Sequence, residues 1–153
     1  MQKLTILDLF EQNELNISRL YRLYSQKIST KQAFWEQLSR EEIQHALEIK
    51  ESYNGQKDVF EENNFSRGSI KYVADFVKKS IQQAKKEKSI HFEALKIALR
   101  VEQSFLEKKC FEIFIPNHKT VKKVLQKLNQ ETQEHIERLQ KELEKETRKQ
   151  KRK

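Results

Sequence analysis

The sequence predicts an all-α fold, a single domain of long helices. Three observations carry that expectation. Only two Gly and one Pro stand among 153 residues, so little interrupts a helix. Charged residues make up 35% of the chain, which suits helices whose outer faces are solvated. Apolar residues recur at spacings of three and four along most of the length, the period of an amphipathic helix. No apolar run approaches a membrane span, and the N-terminus lacks a signal-peptide pattern. The single cysteine, Cys110, excludes a disulfide framework and a paired Cys-x-x-Cys metal knuckle, so a reducing, cytoplasmic setting is expected.

The first helix is expected from about Leu4 to Ile28, on a stripe of Leu4, Leu7, Phe10, Ile17, Tyr21, Tyr24 and Ile28. One position on that stripe is a carboxylate, Glu14. Ser29 and Thr30 offer a cap for a second helix from about Lys31 to Tyr53, which Asn54-Gly55 would stop. So short a link makes the two helices antiparallel neighbours. A polar connection leads to a further helix, capped by Ser69, with a stripe of Ile70, Val73, Val77, Ile81 and Ala84. The next main helix is expected from Ser89 to about Phe114, before Pro116, and again one carboxylate, Glu102, interrupts an apolar line of Leu95, Ala98 and Phe105. The last starts near Asn117 and carries Leu125, Leu128, Thr132, His135, Leu139 and Leu143 on one face. Two hairpins joined by a long helical crossover between the second and third main helices make a ferritin-type antiparallel four-helix bundle. Residues 1–144 are assigned to it and 145–153 to a basic C-terminal tail.

The polar residues on these apolar faces carry the chemistry. Glu42 and His45 stand three apart on the face that also bears Trp35, Leu38 and Ile49, so both are expected to point inward. Ionisable groups in a core stripe are costly unless something satisfies them, and a Glu-x-x-His pair facing into a helix bundle suits a metal ion. Glu14 lies about as far before the turn at Ser29 as Glu42 lies after it, which places the three at one depth. The second hairpin answers with Glu102 and His135. Thr132 occupies the position where a second Glu-x-x-His would have its Glu, and Glu131, one turn before His135, is the only carboxylate that could swing in. Tyr21 and Tyr24 follow Glu14 closely enough to hydrogen-bond a carboxylate or simply to pack. His91 and His118 are read as exposed, near helix starts.

Glu14 followed by Tyr21, the run Phe34-Trp35 to Glu42 and His45, Ala94-Leu95 to Glu102, and Leu128 to Leu139 around His135 together resemble the rubrerythrin branch of the ferritin-like superfamily. The resemblance spans nearly the whole chain. It implies a di-iron centre that reacts with peroxide or oxygen, or oxidises Fe²⁺, with Glu14, Glu42, His45, Glu102 and His135 at ligand positions. Mn or Zn would suit the same donors. Thr132 leaves the set one carboxylate short, which implies weak or unequal occupancy. With one cysteine there is no rubredoxin-like iron site, so redox turnover implies an external electron donor. The alternative is a degenerate bundle without redox activity, a structural, adaptor or metal-sequestering module in which Glu42 pairs with His135, or Glu102 with His45. A homodimer formed through a helix face is the expected assembly.

The formal net charge of +8 is concentrated at the end, in Arg148-Lys149-Gln150-Lys151-Arg152-Lys153. No aromatic residue interleaves with those cations, so nucleic-acid contact is a weak reading and a solvated helix end the simpler one.

Overall fold

A computed structural model describes residues 6–53, 64–107 and 119–152, which form five α-helices: α1 (Ile6–Lys27), α2 (Gln32–Tyr53), α3 (Asn64–Lys86), α4 (His91–Glu107) and α5 (Lys119–Lys151). The described residues contain no strand. Leu4, the Asn54-Gly55 stop, Cys110, the Pro116 break and His118 lie outside them.

Which helices run alongside one another follows from side-chain partners. Glu14 faces Glu42, Ser18 bonds Ser39 at 2.9 Å, and Tyr24 meets Trp35, so α1 and α2 are antiparallel. Ser29–Lys31 form the 3-10 turn between them, tied by Ile28 N–H to Tyr24 O and Lys31 N–H to Ile28 O. The pairs His91–Glu142 and Glu102–His135 make α4 and α5 antiparallel as well. His45–Glu131 and Glu41–His135 do the same for α2 and α5.

The third helix differs. Asn13 Nδ2 donates to Ile70 O and Lys27 Nζ to Ala84 O, the same offset of 57 residues at both ends, which sets α3 parallel to α1; Lys27 Nζ also reaches Glu87 O just past the helix. At 1.5 Å per residue, α3 spans about 35 Å and returns the chain to the end from which α4 sets out. It starts at Asn64, so Ser69 is not its cap; that serine lies buried within the helix.

The core is filled from the expected stripes, with Leu20 added to that of α1. Phe10, Ile17, Leu20 and Tyr21 of α1, Trp35, Leu38 and Ile49 of α2, and Ile70, Val73 and Val77 of α3 are wholly buried, with Leu95 and Ala98 of α4 and Leu128 and Leu139 of α5. α3 covers α1 and touches α4, while α5 closes the other side against α2 and α4. Beyond Leu143 the residues of α5 are mostly exposed, and the basic segment continues the helix to Lys151. No helix among the described residues is long and apolar enough to cross a membrane.

Candidate metal centre

The four helices α1, α2, α4 and α5 each send ionisable side chains to one buried place. Glu14, Glu42, His45, Glu102 and His135 are each no more than 2% exposed. They form two overlapping triads, Glu14–Glu42–His45 and Glu42–Glu102–His135, in each of which one ligand atom per residue lies within 4.8 Å of the others. Glu42 belongs to both. Its Oε2 stands 3.5 Å from His45 Nδ1 and its Oε1 3.0 Å from His135 Nδ1, so its two oxygens serve the two halves separately. The imidazoles of His45 and His135 stack across α2 and α5, with ring centroids 5.3 Å apart and planes 21° from parallel.

The inner atoms are close without bonding. Glu14 Oε2, Glu42 Oε1, His45 Nδ1 and His135 Nδ1 are buried and make no hydrogen bond. His135 Nδ1 is near enough to Glu42 Oε1 but not aligned with it, and His45 Nδ1 is 3.6 Å from Glu14 Oε2. Orphaned polar atoms of this kind are rare in a protein interior because each has lost its water. Two carboxylate oxygens and two imidazole nitrogens that point at one another but do not pair fit a cation between them. The donor set, carboxylate oxygen and imidazole nitrogen, suits iron, manganese or zinc. Tyr21, on α1, donates its hydroxyl proton to Glu102 Oε1 at 2.7 Å, the same oxygen that lies 3.4 Å from His135 Nδ1.

Electrostatics show how costly the metal-free cluster is. Burial, with the charge of Glu42 beside it, raises Glu14 well above the usual carboxylate range. Burial and Glu42 likewise push Glu102 up to about 7. Burial opposes ionisation of Glu42 too, but close contacts to Glu14, His135 and His45 outweigh it and hold that carboxyl well below its ordinary range. Burial lowers both histidines, and the surrounding carboxylates more than reverse this. Glu14 and Glu42 carry His45 up to about 11, and Glu102, Glu41 and Glu42 raise His135 further still. The cluster therefore favours protons on its histidines, and burial beside Glu42 shifts Glu14 in the same direction.

Each histidine is gripped from outside. His45 Nε2 lies 2.6 Å from Glu131 Oε2, and His135 Nε2 lies 3.4 Å from Glu41 Oε1. Arg138 clamps Glu41 with both guanidinium nitrogens, at 2.6 and 3.0 Å. Lys127 stands 3.6 Å from Glu131 and 2.8 Å from Glu48. Glu131 thus serves the outer nitrogen of His45, rather than swinging inward beside His135. Thr132 is buried and donates its hydroxyl to Leu128 O at 2.8 Å, the carbonyl one turn back in its own helix. Because Glu42 is common to both triads, the two halves have equal donor sets, and Thr132 adds no carboxylate to either.

The other histidine on a helix start is not exposed. His91 is 7% exposed, its Nδ1 accepts the Trp35 indole N–H at 3.1 Å, and its Nε2 meets Glu142 Oε1 at 3.1 Å. Glu142 also pairs with Lys31 at 3.1 Å. His91, Glu142 and Glu146 are close enough to hold an ion, but both ring nitrogens of His91 are already engaged and Glu142 is already neutralised, which makes this a structural clasp. No family model, no curated protein and no solved structure matches the chain.

Proposed function

We propose that this chain is a rubrerythrin-like member of the ferritin-like superfamily, a four-helix bundle of α1, α2, α4 and α5 with α3 as its crossover. In this reading the buried cluster holds two divalent metal ions, iron foremost, for oxidoreductase chemistry on peroxide or oxygen or for oxidising Fe²⁺. The observation that carries it is Glu42 shared between two carboxylate–histidine triads whose inner atoms are unbonded. The antiparallel pairings, and α3 running parallel to α1, support the bundle and its crossover.

Glu14 and His45 would hold one ion, Glu102 and His135 the other, and Glu42 would bind both. Iron there would supply one-electron steps between Fe²⁺ and Fe³⁺. The chain's own part is to exclude water, to orient Glu102 through the Tyr21 hydroxyl, and to keep both histidines facing inward. Three carboxylates neutralise three of the four charges on two divalent ions, so occupancy is expected to be weaker than a fourth carboxylate would allow. Electrons would come from an external donor. Pairing with a second copy belongs to the same reading, and Ile43 and Leu47, about half exposed one turn apart on α2, are where it would be sought.

A second reading, a bundle of the same shape that sequesters metal without redox chemistry, draws support from Thr132, whose hydroxyl is turned to its own helix. Of the direct pairings that a metal-free module would use, Glu42 does approach His135, while Glu102 approaches His135 and Tyr21 rather than His45. Anaerobic loading with Fe²⁺ followed by peroxide separates the two readings. Stoichiometric oxidation of bound Fe²⁺, seen as a ferric absorption band, is expected. Bound Fe²⁺ that reacts no faster than free Fe²⁺ would leave sequestration as the function.

A further inference from the structure

We propose that the seam between α3 and α4 binds an elongated organic acid, with its anionic head on Lys79, Lys96 and Arg100 and a neutral hydroxyl or amide at its far end beside Tyr24. The site lies apart from the carboxylate–histidine cluster and needs no metal there.

α3 touches α4 far less than it touches α1, so the seam between them is open. Two adjoining cavities of about 300 and 330 Å³ lie along it, the volumes of small-molecule sites. Ser80, Gln83 and Ile97 line both, which makes them one groove. It runs along α3 from Phe76 to Glu87, at the connection to α4, a length of about 16 Å at 1.5 Å per residue.

The two ends differ in chemistry. The end nearer the middle of α3 is lined by Lys79, Lys96 and Arg100 and by no carboxylate. Arg100 lies over the Phe76 ring at 4.6 Å and Lys96 over that of Phe92 at 4.7 Å, contacts that keep both cations at the groove. Lys96 has Glu93 3.4 Å away, an exposed pair of little strength. Neither Lys79 nor Arg100 has a carboxylate partner among the described residues.

The end at the connection makes a different demand. Tyr24, reaching it from α1, is 2% exposed, and its hydroxyl is buried without a hydrogen bond. A buried donor left unpaired is costly, and an acceptor placed there would recover that cost. Glu87 and Glu93 line this end with Lys88 beside them, so a neutral hydroxyl or amide suits it and an anion does not. Ala84, Ala94 and Ile97 supply an apolar wall for the body of the ligand. A plain lipid tail would leave the Tyr24 hydroxyl unpaired. The groove therefore selects an acid whose opposite end is polar.

The test uses the full chain, metal-loaded and chelator-treated alike. The probe is ω-hydroxydecanoate, with decanoate and decanediol beside it, and affinity is measured by isothermal titration calorimetry. Occupancy is located by the fluorescence of Trp35, the only tryptophan, whose ring meets that of Tyr24 edge-on at 4.8 Å. One ω-hydroxydecanoate should bind per chain and perturb that fluorescence. Decanoate lacks the hydroxyl and decanediol lacks the acid, and each should bind about 5–10-fold more weakly. Tyr24→Phe should lower the affinity for ω-hydroxydecanoate to that for decanoate. Because the hydroxyl makes no bond within the fold, this variant should keep the wild-type helical circular dichroism. Lys79→Gln combined with Arg100→Gln should abolish the preference for acid over diol. Lys71→Gln combined with Lys86→Gln, exposed on the same helix outside the groove, should leave it unchanged. Absence of saturable binding, a hydroxyl preference that survives Tyr24→Phe, or equal losses in the two lysine-bearing double variants would each overturn the inference. So would uptake on phosphatidylglycerol vesicles without binding of free ω-hydroxydecanoate. Failure of any of these leaves the dinuclear reading standing, and a chain that holds no metal leaves the groove standing.

Discussion

At the scale of single residues, the site is a set of exceptions to hydrophobic patterning, and that is why the sequence exposes it. Glu14 and Glu102 each interrupt an otherwise apolar stripe, and both prove buried against groups that change their ionisation. Glu41 and Glu131 were harder to recognise. Each sits beside or near a stripe residue, and what each does depends on the register between α2 and α5, which no single-helix periodicity contains. His91 misled for a related reason: its burial comes from Trp35 and Glu142 on two other helices. Thr132 offers a direct intervention. Thr132→Glu should destabilise the metal-free protein, by adding a buried carboxylate, and raise its affinity for the second Fe²⁺, by supplying the fourth charge. Unchanged metal affinity in an equilibrium titration would show that position 132 does not face the ions.

The same residues set the pH dependence. Glu102 titrates at about 7 in the fold against 4.5 when unperturbed, so its favourable contribution is complete below about pH 4.5 and is lost as pH rises through 7. His45, raised from 6.5 to about 11, contributes fully below about pH 6.5 and loses that contribution on the way to 11. Glu14 is raised as well and acts in the same direction. Glu42, held low, has the opposite sign, and its contribution disappears only in acid. The thermal midpoint of chelator-treated protein should therefore fall steadily from pH 5 to pH 9. Metal-loaded protein should resist that fall, because ions replace the protons, and metal uptake should release protons to the buffer. A chelated protein that gains stability across this range would contradict the assigned protonation.

At the scale of elements, the interfaces differ in kind. Away from the Ser18–Ser39 bond and Glu14, α1 and α2 meet through aliphatic and aromatic side chains, with Tyr21 and Tyr24 against the indole of Trp35 at centroid distances of 5.6 and 4.8 Å. The described polar contacts of α2 with α5 are ion pairs: Glu41–Arg138, Glu41–His135, Glu42–His135, His45–Glu131 and Glu48–Lys127. Apolar contact survives removal of metal, whereas an interface built on charge depends on how the buried histidines are neutralised. Leu38→Ala, in the wholly buried α1–α2 core, should cost about 2–5 kcal/mol in a urea titration. Arg138→Ala, which breaks a bidentate but part-exposed pair, should cost only about 1 kcal/mol. The reverse order would mean that α5, not α1, is the principal support of α2. The helices themselves were legible from their three-and-four spacing. Their starts were less so: α3 begins five residues before Ser69, because a serine ahead of an apolar stripe resembles a cap wherever it stands.

For the molecule as a whole, four helices bring five ionisable side chains from distant parts of the sequence into one buried place. An unfolded chain leaves those groups in water, so the fold must bear their desolvation, and the unbonded inner atoms form a donor set that could hold cations. The helical class and the candidate residues could be read from the sequence because each rests on a pattern within one helix. The sharing of Glu42 could not, since it exists only once α1, α2, α4 and α5 are packed. The most direct measurement is metal per chain after anaerobic loading with Fe²⁺ and removal of free metal, for the wild type and for Glu42→Ala. Up to two ions per chain in the wild type, and loss of both in Glu42→Ala, is the result expected of a shared bridging carboxylate. A wild type that retains no metal would contradict the centre, and a variant that loses only one ion would contradict the role of Glu42 in both halves.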